Sequence, residues 1–358
     1  MTRLIRAVID TRALRHNLEA VRARAGSARV MAVVKANAYG HGLVPTALAL
    51  SEADAFAVAR LEEGLALREA GITAPVVLLE GVFSPAPLRA AGEGRLDLVV
   101  HALHQVELLE QCGAPPGLIL WVKIDSGMNR LGFTPAEFPA ALARLRALAP
   151  APCEIRLMTH LASANERDAR KTSEQLARFR AAVRGLDLET SIANSAGLFG
   201  AMPVESTWVR PGLALYGASP FADCTARDLG LEPAMTLASS VIAVRHVARG
   251  ETVGYGGAWK ATCDCTVAIV AAGYGDGVHR SLASGTPVLV EGVRAPLVGR
   301  VSMDMLAVDV SALASVRVGT PVVLWGAGLP VEEVAGHAGT IAYELLCSVS
   351  QRVPLEPR

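Results

Sequence analysis

Eight short apolar runs, each followed by a helical signal, constrain this chain more than any other feature. They are Val30–Val34, Ala55–Ala59, Pro75–Glu80, Leu96–Val100, Leu118–Ile124, Glu154–His160, Thr190–Asn194 and Thr207–Arg210. Most are continuous rather than alternating, the pattern of parallel strands covered on both faces. Between them, Asp10 is placed to cap a helix that carries Leu14, Leu18 and Val21 on one stripe. His101–Gln111 ends at Gly113, and Lys171–Arg184 sets Leu176, Phe179 and Val183 on one face before Gly185. Eight strand–helix units predict an α/β fold that opens with a (β/α)8 TIM barrel over residues 10–228. An open doubly wound sheet is the alternative, but no GxGxxG follows the first strand.

Beyond residue 228 the texture changes. Glycine recurs every few residues and β-branched alternation replaces helical periodicity, as in TPVLVEGVRAPLVG and SMDMLAVDVSA. This predicts a C-terminal mainly-β domain over residues 229–358, with one short helix near Val331–Gly336. Residues 1–9 are expected to associate with it.

Composition narrows the function classes. Of 358 residues, 51% are hydrophobic and 19% charged, enough for a large core and incompatible with disorder. Lys plus Arg and Asp plus Glu are both 34, so nothing favours a nucleic-acid partner. No uninterrupted apolar run reaches the ~18 residues of a membrane span. Arg6, Asp10, Arg12 and Arg15 break up the first twenty residues, so no secretion signal is read and a cytoplasmic location is expected. Cys112, Cys153, Cys224, Cys263, Cys265 and Cys347 form no CxxC pair and read as reduced thiols. His101 and His104 stand three apart, but no carboxylate cluster lies near them, and no metal site is expected.

Residues 32–42, AVVKANAYGHG, hold the first candidate for chemistry. Lys35 ends the first barrel strand, where barrel active sites form. Its apolar neighbours suggest burial, which would lower the amine's pKa and make it a nucleophile. A lysine snorkelling from a strand end is the plainer reading of that residue by itself.

The surrounding segments decide between the two. KANAYGHG resembles the pyridoxal-phosphate lysine motif of the alanine racemases, a family of fold-type III racemases. WVKIDSGMNRLGF (121–133), MTHLASAN (158–165), IANSAG (192–197) and WVRPGLALYG (208–217) are similar to its later barrel segments. VGYGGAW, AGYGDG, GRVSMDM and Tyr343–Glu344 are similar to its C-terminal landmarks, so the resemblance spans essentially the whole chain.

That resemblance implies a pyridoxal 5'-phosphate enzyme interconverting L- and D-alanine, supplying D-alanine for peptidoglycan or degrading it. Lys35 would carry the cofactor as a Schiff base and act as one base. Tyr39, Ser195, Gly212 and Leu213 would hold the phosphate, and Tyr343 would pack beside the cofactor. Arg210 would face the pyridine nitrogen; a guanidinium does not give up its proton, so the ring would stay a weak electron sink and favour reprotonation over transamination. Racemisation needs a base on each face of Cα, and Tyr255 matches the opposing one. Its phenol would be activated through a chain from Tyr255 to His160 to Arg210. In the family that tyrosine reaches the barrel of a second subunit, which implies a homodimer with composite sites. Met303 and Tyr274 would enter the partner's site likewise. Arg130 would hold the substrate carboxylate, oriented by Lys123 in its carbamylated form (N-carboxylysine). Pro211 and Asn129 depart from the family pattern without removing a matched residue. A racemase of broader range, acting on serine or basic amino acids, shares the fold. A non-catalytic pyridoxal-phosphate-binding protein would be a single barrel, and the C-terminal β domain with Tyr255 argues against it.

Overall fold

The computed structural model describes residues 4–148, 154–202 and 204–358; Cys153 and residues 1–3 fall outside them. Among the described residues the chain forms two compact units. One comprises residues 17–38 and 43–215, the other 4–16, 39–42 and 216–358.

The first unit is a closed parallel barrel of eight strands with helices between them. Strand β1 (Arg6–Ile9) belongs to the other unit. The barrel runs β2 (Arg29–Val33), β3 (Ala55–Val58), β4 (Val76–Leu78), β5 (Leu96–Val100), β6 (Ile119–Lys123), β7 (Glu154–Met158), β8 (Thr190–Ser191) and β9 (Trp208–Val209). It closes where Arg29 and Val30 pair with Trp208 and Val209. Every apolar run of the sequence supplies one strand, because the helices outside and the interior inside leave no wet face. The last two are shorter than their apolar runs. Past Ser191 and Val209 the backbone leaves the ladder, and the Arg210 N–H bonds the carbonyl of Ala193 at 2.7 Å.

The helices follow their signals. Thr11–Ala25 starts where the Asp10 carboxylate accepts the N–H groups of Arg12 and Ala13 at 2.9 and 3.2 Å. Leu14, Leu18 and Val21 are buried. Leu103–Cys112 and Arg170–Ala182 follow β5 and β7. His101 stands just before the first of these, its Nε2 against the Glu80 carbonyl at 3.1 Å, and its ring is edge-on to His104. Toward the N-terminal strand ends, Arg156 pairs with Glu154 and Glu189 at 2.7 and 2.9 Å beneath Trp121 and Trp208. Asp97 is buried at the same end of β5.

The second unit is a mainly-β domain. Its strands are β10 (Met235–Val247), β11 (Thr252–Val253), β12 (Trp259–Lys260), β13 (Cys265–Val270), β14 (Pro287–Val290), β15 (Val293–Val298), β16 (Leu306–Asp309), β17 (Pro321–Trp325) and β18 (Leu355–Pro357). The main sheet has the order β13-β16-β15-β14-β17-β10-β1-β18, closed further by β13 against β10. Strand β1 pairs antiparallel with β10 and parallel with β18, so the two ends of the chain lie side by side. The expected short helix runs Val331–Ala338, and a second, Ala342–Ser348, carries Tyr343.

Candidate active site

Barrel-strand C-termini collect most of the candidate residues. Lys35 lies two residues past β2 and is partly exposed, contrary to the burial its neighbours suggest. The lysine on which burial acts is Lys123, the last residue of β6. After Lys35 the backbone makes a left-handed turn: Ala36, Asn37, Ala38 and Tyr39 all have φ between 52° and 54°. None is glycine, and each such residue costs roughly 1–2 kcal/mol. The turn is tied by Ala38 N–H to the Val34 carbonyl and by Leu43 N–H to the Asn37 side chain, both at 2.9 Å.

The loop after Lys123 is built by Asp125. Its Oδ1 accepts the N–H groups of Gly127, Met128 and Asn129 at 2.9, 3.0 and 3.1 Å. Asn129 takes up φ 56°, a conformation asparagine adopts more readily than most residues, and Arg130 follows, exposed. Burial and the nearby Arg210, Arg130 and Lys35 push the Lys123 ammonium down from 10.5 to about 8.

Arg210, just past β9, is 5% exposed. Its guanidinium donates to Ser191 Oγ at 2.6 Å and to the Thr159 carbonyl at 2.5 Å. A longer bond of 3.5 Å reaches His160 Nδ1. Burial, then Arg210, Lys123, Arg130 and Lys35, hold His160 down to about 2. The ring is therefore neutral near pH 7, and accepting at Nδ1 leaves its proton on Nε2. Burial also lowers Arg210, to about 10, so it remains a cation.

Ser195 opens the short helix Ser195–Phe199, whose start is capped by Asn194 accepting from Gly197 N–H at 2.9 Å. Its hydroxyl accepts the N–H groups of Gly212 and Ala214 at 3.0 and 3.2 Å. Leu213 begins the 3-10 turn Leu213–Tyr216 and is buried. The barrel thus brings together Lys35, Lys123, Arg130, His160 and Arg210 as one electrostatic group, with Ser195, Gly212 and Leu213 beside one another.

The other unit carries the remaining candidates. Tyr39 is buried, stacked on Tyr216 at 4.7 Å and tilted against Tyr343 at 5.8 Å. Burial and the nearby Tyr343 raise its phenol well above the ordinary range; burial takes Tyr343 up to about 12. Gly40 has φ 83°, and a Cβ there would stand 2.2 Å from the Leu346 carbonyl of the helix that carries Tyr343. Tyr255, Tyr274 and Met303 are 67%, 42% and 52% exposed, high values for large apolar side chains. Tyr255 sits between glycines of positive φ in the turn Tyr255–Gly257. Arg352 ties the turn of Tyr274 to the loop of Met303, bonding Asp276 at 2.8 Å and Asp304 at 2.5 Å.

Known proteins share this arrangement. The profile of the alanine racemase N-terminal domain matches residues 9–220, and that of the alanine racemase C-terminal domain matches residues 234–356. The chain belongs to the alanine racemase family. It is 48% identical over 351 residues to an alanine racemase of Vibrio parahaemolyticus, covering 98% of both chains. An alanine racemase of Nitrosococcus oceani is 51% identical over 348 residues, 97% of this chain and 98% of its own. Among solved structures, the biosynthetic alanine racemase of Pseudomonas aeruginosa superposes with a TM-score of 0.96 at 47% identity, covering all of both chains. An alanine racemase of Bacillus anthracis with bound L-Ala-P gives 0.86 at 31%, over 100% of this chain and 96% of that one.

Two supporting residues of this alanine racemase family member escape motif reading. Asp125 lies inside the segment 121–133 but shows its function only through its three N–H bonds. Gln175, buried on the apolar face of Arg170–Ala182, donates to the His160 carbonyl at 3.1 Å and accepts from Ala162 N–H at 2.8 Å. An amide on an otherwise apolar helical stripe was the available signal.

Proposed function

We propose that the chain is a pyridoxal-phosphate-dependent alanine racemase working as a cytoplasmic homodimer. The observation that carries this reading is near-half identity to alanine racemases over almost the whole chain. The barrel residues suit the cofactor. An aldehyde needs an amine, and Lys35 offers one at a strand end. A phosphate needs converging donors, and the Gly212 and Ala214 N–H groups already converge on Ser195 Oγ in a buried place. A pyridine nitrogen needs a partner, and Arg210 is a buried cation held by three neighbouring oxygens.

When bound, the cofactor supplies the electron sink that acidifies the α-proton. Lys35 would hold it covalently, Tyr39, Ser195, Gly212 and Leu213 would bind its phosphate, and Tyr343 would lie alongside, as the family resemblance implies. Lys35 takes or returns the proton on one face of Cα, and Tyr255 of a second copy does so on the other. The exposure of Tyr255, Tyr274 and Met303 supports a surface meant for another chain. Neutral His160, anchored to Arg210 through Nδ1, keeps its Nε2–H as a donor that would stabilise the phenolate of a facing tyrosine. Carbamylated Lys123 turns a buried cation into an anion that orients Arg130 on the substrate carboxylate. The relative described as biosynthetic favours supply of D-alanine over its breakdown.

The test is direct. Purified protein given L-alanine and cofactor forms D-alanine, and borohydride fixes the cofactor on the peptide holding Lys35. K35A loses both. Formation of D-alanine by K35A at the wild-type rate would overturn the assignment.

A further inference from the structure

Glu63 is the third residue of the helix Leu61–Glu69, and its carboxylate accepts three backbone N–H groups. Oε2 takes those of Ala59 and Arg60 at 2.9 and 3.1 Å, which closes the start of its own helix. Oε1 takes the N–H of Ala36 at 2.7 Å, twenty-seven residues away. Capping explains the first oxygen and leaves the second without a reason. Ala36 is the residue after Lys35 and the first of the four left-handed residues. Its relaxed conformation is right-handed, and letting it relax would swing the end of β2 and the Lys35 side chain with it. The ties from Val34 and Asn37 act further along the turn, at Ala38 and Leu43. Among the described bonds, Glu63 is what fixes the turn at its first residue.

We propose that Glu63 is a positioning residue for Lys35: by clamping the Ala36 N–H it holds the left-handed turn and aims the lysine amine. This rests on Lys35 as the amine and base of the proposed function. Glutamine at position 63 keeps the size but replaces one of the two acceptor oxygens with a donor, so it cannot serve both groups of N–H. Aspartate keeps the charge near its own helix start and loses the reach to Ala36. Glycine at position 36 adopts φ near +54° without the penalty and so needs no clamp.

The experiment uses the cofactor-loaded enzyme as wild type, E63Q, E63D, A36G, E63Q/A36G and K35A. Measured for each are kcat, cofactor content, melting temperature and the isotope effect on α-deuterated alanine in both directions. E63Q is expected to keep its cofactor and lose about 10–100-fold in kcat, the size of an ångström-scale misplacement. Its isotope effect rises for the one enantiomer whose proton Lys35 removes and stays unchanged for the other. E63D shows the same asymmetry. E63Q/A36G recovers to within about threefold of A36G, because the strain that needed the clamp is gone. A merely structural role would change melting temperature without asymmetry. The proposal is overturned if E63Q and E63D stay within about twofold of wild type, if both isotope effects rise together, or if the double variant falls by the product of the single losses. K35A separates the two levels: an active K35A overturns the function reading itself, whereas an inactive K35A beside an unaffected E63Q overturns only the role of Glu63.

Discussion

Replacing Lys123 with methionine distinguishes two states of one buried side chain. As an ammonium, Lys123 is held at about 8 instead of 10.5 by burial and by Arg210, Arg130 and Lys35, a penalty of roughly 3 kcal/mol below pH 8. The sign follows from the lowered value: the folded chain gives up this proton near pH 8, the unfolded chain near 10.5, so stability rises with pH between the two. The same lowering leaves about a quarter of the side chain as free amine at pH 7.5, against about one part in a thousand for an ordinary lysine. That amine can capture carbon dioxide, and the resulting anion meets the cations that repelled the ammonium. Native mass measurement and thermal melting, in buffer stripped of carbon dioxide and in saturating bicarbonate, read both states. Bicarbonate should add one carbon dioxide per chain and raise the wild-type melting temperature by about 5 °C or more. K123M should be the more stable protein in stripped buffer and should not respond to bicarbonate. A wild type that gains neither mass nor stability would refute carbamylation and leave Arg130 to be oriented by other groups.

Other perturbations test separate parts of the account. Burial raises Asp97 to about 7, and among the described residues its Oδ2 has no hydrogen-bond partner. The folded chain therefore keeps that proton up to about pH 7 while the unfolded chain loses it near 3.8, and stability falls as pH rises between them. D97N should be more stable than wild type above pH 7 by up to ~4 kcal/mol and nearly equal to it below pH 4, read from melting temperature against pH. R352M removes the cation between Asp276 and Asp304 and leaves the buried Asp276 carboxylate without that partner. It should lower the melting temperature and raise KM for alanine about tenfold while cofactor content stays intact, measured by melting and steady-state kinetics.

Much of the barrel was legible because burial on both faces writes a simple pattern. Each run from Val30–Val34 to Thr207–Arg210 became a strand, and the glycines after the helices marked their ends. What escaped was decided by long-range bonds. Strands β8 and β9 stop early because Ala193 and Arg210 bond each other outside the ladder. The turn after Lys35 contains no glycine, and its alanines favour the right-handed helix, so nothing local announces a left-handed path. The helix Ala342–Ser348 is too short to show a period, and β1 is a strand only because β10 and β18 flank it. At the site, residue identities came from motifs, while exposure did not. The apolar neighbours of Lys35 suggest burial, yet it is partly exposed, whereas Lys123 is the lysine the barrel encloses.

The central claim is that Lys35 and Tyr255 meet across two copies of the chain, each from the opposite subunit. Mixing inactive K35A and inactive Y255F, then letting subunits exchange, tests it most directly. Half of the dimers become mixed, and each mixed dimer holds one site with both bases intact. Racemase activity should therefore return to about a quarter of wild type. If both bases of a site came from one chain, no combination would restore it, and a mixture that stays inactive after verified exchange would contradict the account.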